Sequence, residues 1–239
     1  MSDQVQKIED QADGTIEPIV KTKAVVQKRA DQDQIIANFI GDLEANLDSL
    51  DGDTDIAERM ATRGFKEPKR AEGRIALTAL KAKFQGRQVT LGTQGEKATA
   101  SEAGEKVARK KYADFRGTVR TAYTDADTRR ALGVSGLVPA DTEKFLTLAE
   151  VGYSAAEQAP YGAGLEALGF DAAERTASVV TLTDFRAARE VHRTAVAAAK
   201  VATRERDAAY KVALKWNRDL LRMAKIALRE RPDLLAKLR

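Results

Sequence analysis

A single histidine, His192, and no cysteine occur among the 239 residues, and these two facts limit most of the chemistry the chain can offer. Without thiols there are no disulfides, no thiolate nucleophiles and no cysteine-based zinc or iron–sulfur sites. A di-iron or di-manganese centre in a helical bundle needs Glu on two helices and Glu-x-x-His on two others. Here Glu190 and His192 are spaced Glu-x-His, which sets the two side chains about 200° apart on a helix. A haem would have to take its axial ligand from His192 alone. The histidine therefore reads as a solvated or rim residue, and no cofactor is expected.

Three further patterns touch on known chemistry and fall short of it. Asp51, Asp53 and Asp55 alternate as the first ligands of a calcium loop do, yet Ile56 stands where the sharp turn needs Gly and Thr62 where a bidentate Glu belongs. A capping turn between two helices explains them better. Gly133-Val134-Ser135-Gly136 lacks the second spacer of a nucleophile elbow, and no strand precedes it. Gly162-Ala163-Gly164 is followed next by Gly169, which is not the dinucleotide spacing, and no Walker lysine motif occurs. No catalytic, cofactor-binding or metal-ligating residue is assigned, and the chain reads as a non-enzyme.

One surface is patterned. Lys211, Lys215, Arg218, Arg222, Lys225 and Arg229 recur at spacings of three and four, which confines them to an arc of about 80° on a helix, along roughly 27 Å. Trp216, Leu220, Met223 and Ala227 fall on the opposite side. From Lys200 to Arg239 there are twelve Lys or Arg against five Asp or Glu, so the whole-chain charge of +4 hides a polarised end. The row is either a solvated face or a platform for an acidic protein, a phosphate backbone or an anionic membrane surface. No aromatic residue interleaves with it, which argues against stacking on single-stranded bases.

The elements that must carry these residues are helical. Asp31 opens a stretch in which Ile35, Ile36, Phe39, Ile40, Leu43, Leu47 and Leu50 form one apolar face. A short helix with Ile56 and Met60 follows and stops at Gly64, and the two make an arm over 31–64. Pro68 suits the first turn of a long helix over 68–125. Gly86, Gly92, Gly95 and Gly104 lie within it, each costing about 1 kcal/mol against Ala, so a break between Leu91 and Gly95 is the alternative. A second arm over 139–169 and a second long helix over 171–231, stopped by Pro232, complete the chain. No segment reads as a strand.

The halves match at an offset of 105 residues. Met60 falls on Leu165, Gly64-Phe65 on Gly169-Phe170, Leu77-Thr78 on Leu182-Thr183, Leu80 on Phe185, Lys106-Val107-Ala108 on Lys211-Val212-Ala213, Asp114 on Asp219 and Ala122 on Ala227. The expectation is an internal duplication, 31–133 and 134–239, preceded by a flexible acidic tail over 1–30. Of the basic row, the first half keeps Lys106, Lys110 and Arg120, with Ala113, Gly117 and Thr124 elsewhere.

Composition agrees with thin helical layers. Aromatics are only 5% and charged residues 32%, which favours closely packed small side chains under a large solvated surface. The predicted fold class is all-α, an elongated antiparallel helical bundle with two long helices and two shorter arms. The first twenty residues lack a signal-like apolar stretch, and no later segment approaches eighteen uncharged apolar residues. The chain is thus expected to be cytoplasmic, without a transmembrane segment. Its expected role is a non-catalytic structural or interaction protein that meets a protein partner or a second copy of itself. The alternatives are binding to nucleic acid or an anionic membrane surface through the basic row and, last, an enzyme or carrier with a pocket in the bundle.

Overall fold

The computed structural model describes residues 17–238, with side chains from Asp31 onward. The described chain is all-α and contains no strand: α1 (Glu17–Gly52), α2 (Thr54–Ala61), α3 (Glu67–Ala122), α4 (Ala126–Ala131), α5 (Thr142–Ala156), α6 (Tyr161–Glu166), α7 (Ala172–Ala227) and α8 (Pro232–Leu235). Two long helices, α3 and α7, pack on each other, and α1–α2 and α5–α6 form the two arms.

Three differences from expectation have local causes. The first helix starts at Glu17 and not at Asp31. Pro18 is admissible in a first turn, and from Lys21 to Ala30 the chain is rich in good helix formers but lacks the apolar rhythm that marks a packed face. Of the expected flexible tail over 1–30, residues 1–16 lie outside the described residues. The break near Gly92 does not occur, and α3 runs unbroken for 56 residues. A Cβ at Gly86, Gly92 or Gly95 would meet nothing within 4 Å, so these glycines weaken helix propensity without marking a turn. Finally, α7 ends at Ala227, and Pro232 opens the short α8.

The chain divides into two compact units that cut across the sequence halves. Among the described residues, one comprises 17–85 and 204–238, the other Gly86–Thr203. Antiparallel pairing is the reason, because it brings the start of one long helix beside the end of the other. In the first unit the indole Nε1 of Trp216 donates to the Lys69 carbonyl (3.0 Å) and Lys83 pairs with Glu205 (2.8 Å). In the second, Arg87 reaches Thr203 (3.3 Å) and Lys111 pairs with Glu174 (3.0 Å). Partners advance on α3 as they retreat on α7.

The first unit buries an aliphatic core. Ile36, Leu43, Leu50, Ile56, Met60, Leu80, Leu220 and Leu228 are fully enclosed. Asn46 donates to Asn217 across α1 and α7 (2.9 Å), so the two buried amides meet inside the core. Gly73 lets Trp216 lie against the α3 backbone, since a Cβ there would overlap the indole ring. Asp53 caps α2 by accepting from the Ile56 N–H (3.2 Å).

The second unit buries an aromatic core. Tyr112, Phe115, Phe145 and Tyr153 are enclosed, with ring centroids 5.1 Å apart for Phe115–Tyr153 and 5.7 Å for Tyr112–Phe145. Gly152 is required, because a Cβ would sit 2.9 Å from the Leu132 carbonyl oxygen. The α4–α5 loop has few side chains to bury, and cations hold it in place. Arg109 donates to the carbonyls of Pro139 (2.9 Å) and Ala140 (3.0 Å), and Arg116 to those of Val134 (3.2 Å) and Gly136 (2.6 Å).

Candidate functional site

The C-terminal end of α7 presents its buried and exposed faces as the periodicity requires. Trp216, Leu220, Ala224 and Leu228 are buried, and Met223 and Ala227 pack partly buried against the same core. Lys211, Lys215, Arg218, Arg222, Lys225 and Arg229 are all exposed. Five of them lie on α7 over about 21 Å. Arg229 sits on the turn after it, because the helix stops at Ala227.

None of the six cations forms an ion pair or a side-chain hydrogen bond among the described residues. Elsewhere many cations are engaged, such as Lys69 with Glu72, Arg74 with Asp51 and Glu67, Lys81 with Glu44, Arg186 with Glu150, Arg189 with Glu143 and Arg206 with Asp33. Sequence order explains part of the contrast. Asp219 is the only acid between Lys211 and Arg229; it follows Lys215 by four positions, the less favourable orientation for an intrahelical pair, and precedes Arg222 by three without pairing with it. Lys225 stands in the last turn of α7, where the negative end of the helix dipole tolerates a cation without a carboxylate.

The other constellations resolve into structure. Each of the three alternating aspartates is committed to a cation or a cap: Asp51 to Arg70 and Arg74, Asp53 to Lys237 (2.6 Å) and the α2 cap, Asp55 to Arg231 (3.4 Å). Gly133 and Gly136 take positive φ, 69° and 79°, and shape the α4–α5 loop. Gly164 allows close approach of Tyr123, whose hydroxyl donates to the Tyr161 carbonyl (2.6 Å). His192 is half-buried on α7. No group of three potential metal-ligating side chains occurs among the described residues. An open depression of about 420 Å³ on α5 is bordered by Glu150, Val151, Ser154, Ala155 and Gln158. Its one titratable group, Glu150, is paired with Arg186.

Burial pushes the Tyr112 phenol up to about 12, and it donates to the Gly133 carbonyl (2.7 Å), so it works as a loop anchor. Neither this anchor nor the arginines that bind loop carbonyls were foreseeable as a group. Their partners are backbone atoms 18 to 31 residues away, and only the glycines of the loop hinted at exposed carbonyls. The C-terminal strap also went unread: Leu234 and Leu238 are buried, and Lys237 and Arg231 tie the segment to the α1–α2 turn. No helix among the described residues is long and apolar enough to cross a membrane. The chain matches no protein family, curated protein or solved structure with which it was compared.

Proposed function

We propose that this chain is a non-catalytic helical interaction protein that docks an anionic partner along the outer face of the C-terminal end of α7. One observation carries the reading: six exposed cations follow one another along a single face and none of them pairs with a carboxylate, while about half of the other described cations do. An unpaired row keeps its full charge for a partner and loses nothing intramolecular on binding. A cytoplasmic location belongs to the same proposal and accords with the cysteine-free composition.

The internal duplication at offset 105 is part of this reading too. It is supported by two helices of 56 residues whose first residues, Glu67 and Ala172, are 105 apart. It is also supported by two turns of one type: Gly64 and Gly169 take φ of 92° and 84°, and Phe65 and Phe170 donate backward to Met60 (3.1 Å) and Leu165 (3.0 Å).

Retention on immobilised heparin at about 50 mM salt tests the anionic face. The wild type is expected to bind and to elute as salt rises. The Arg218→Glu, Arg222→Glu double variant, with unchanged circular dichroism, is expected in the flow-through. Equal retention of the two proteins would reduce the row to a solvated face.

A further inference from the structure

Resting on the anionic-face reading, we infer that the partner is double-stranded nucleic acid, gripped through its phosphate backbone without sequence readout by Lys211, Lys215, Arg218, Arg222, Lys225 and Arg229.

Four features of the first unit lead there. Five of the six cations lie on one helix pinned from behind by buried Trp216, Leu220 and Ala224, so they present a straight line of charge, with Arg229 on the turn that follows. Duplex DNA is the matching linear polyanion, with one charge per about 1.7 Å of axis, and the five cations span roughly 21 Å, about six base pairs. Next, α7 is not a free helix. On its inner side α1 packs through Asn46–Asn217 and Phe39–Tyr210 (ring centroids 5.1 Å), and α3 packs through the Trp216–Lys69 contact. The outward face that remains between 211 and 229 carries Lys and Arg but no exposed Asn, Gln, Ser or Thr, since Asn217 is buried. It offers charge to phosphates, which position a protein but carry no sequence information, and no amide to adenine edges.

The third feature separates duplex from single strand. Single-strand binders stack bases on exposed aromatic rings. Here Trp216 is turned into the core at 5% exposure, Tyr210 packs edge-on against Phe39, and no aromatic residue lies on the cationic arc. The fourth separates nucleic acid from a bilayer or an acidic protein. Membrane-surface helices bury their apolar face in the lipid boundary, but that face of α7 is already spent inside the unit. Protein docking sites are anchored by aromatic or large apolar side chains at their centre. At the border of this row stand only Val212 and Ile226, 62% and 50% exposed.

The test is fluorescence anisotropy with the full chain against five probes: two duplexes of about 20 base pairs and unrelated sequence, one single strand of the same length, phosphatidylserine-containing vesicles, and polyglutamate. Both duplexes are expected to bind within about twofold of each other, with the single strand at least about tenfold weaker. The slope of log K against log salt is expected near −5, as five to six phosphate contacts require. Arg218→Glu with Arg222→Glu should weaken duplex binding at least about a hundredfold at low salt. Lys106→Glu with Lys110→Glu makes the same change in net charge at exposed positions of α3 and should leave it within about threefold. Stripe-dependent binding to vesicles or polyglutamate without duplex binding overturns the nucleic-acid inference and keeps the anionic-face reading. Binding to none of the probes overturns both. Duplex binding that survives the α7 reversal, or falls equally with the α3 reversal, overturns the assignment to this row.

Discussion

The C-terminal ends of α3 and α7 bury faces of the same spacing and put their cations to opposite uses. Their buried sides correspond at the offset of 105, with Ala108, Phe115 and Val119 enclosed on one and Ala213, Leu220 and Ala224 on the other. On α3, Arg109 and Arg116 turn toward the α4–α5 loop and donate to its carbonyls, and Arg120 approaches the Val134 carbonyl at 3.5 Å. On α7 no loop follows that needs holding, since Pro232 opens α8 within five residues of the helix end. Its cations have no carbonyl to serve and stay in solvent. A helix face is fixed on its inner side by packing, while its outer side is set by what the following segment demands.

The largest expected effect probes the shared inner side. Phe115→Ala should destabilise the fold by about 3–5 kcal/mol and Leu220→Ala by about 2–5 kcal/mol, measured by urea unfolding. Comparable losses would uphold the correspondence of the two positions. A loss below about 1 kcal/mol at either would show that the two inner faces are not equivalent.

Next in size is the division of labour between cations. Arg116→Met leaves the Gly136 carbonyl without its side-chain donor and the Val134 carbonyl with Arg120 alone at 3.5 Å, which should cost about 1–3 kcal/mol of stability and leave duplex affinity unchanged. Arg222→Ala should do the reverse: stability within about 0.5 kcal/mol, and duplex affinity lowered with a salt slope smaller by about 1. Loss of affinity in the first variant, or of stability in the second, would break the contrast.

Much of this architecture is legible in the residues, for definable reasons. Apolar spacing records both long helices where they are packed, at Leu77–Leu80 and Ala108–Val119 on α3 and at Leu182–Phe185 and Ala213–Ala224 on α7, whereas Ile75 and Val179, which open the two apolar runs, are exposed. Gly64 and Gly169 mark their turns because positive φ suits glycine. The start of α1 leaves no such record, and α4 is six residues with no buried side chain of its own. The basic row is legible as a geometry, whereas its freedom from carboxylates is not, since ion pairing depends on elements far away in sequence. Asp51 and Asp55 show this: their partners Arg74 and Arg231 lie 23 and 176 residues away.

The smallest expected effect concerns the two short helices that follow the long ones. A hydrogen bond from Lys237, with the Ile56 N–H next, holds the Asp53 carboxyl below its usual range, and Arg231 pulls that of Asp233 down to about 2. On α4, the Thr128 N–H holds Asp125 low in the same way. A carboxyl whose pKa is lower folded than unfolded contributes in full above the unfolded value near 4. That contribution fades as pH falls toward 2, and nothing changes on the alkaline side. Asp125 and Asp233 are exposed and Asp53 is half-buried at the surface, so the loss is local loosening and not unfolding. The two segments should still differ. The segment around α8 is held in part by Asp53 and Asp233, whose carboxylates protonate, whereas α4 is also held by Arg129, which donates to the carbonyls of Tyr123 (2.7 Å) and Arg120 (3.0 Å), and these do not titrate. Hydrogen exchange at pH 3 against pH 6, corrected for intrinsic rates, should therefore rise more at Leu234–Leu238 than at Thr128–Leu132. An equal rise in both would mean that the arginine clasp on α4 adds nothing to its cap, and the distinction between cations spent on carbonyls and cations left to carboxylates would lose its support at this end of the helices.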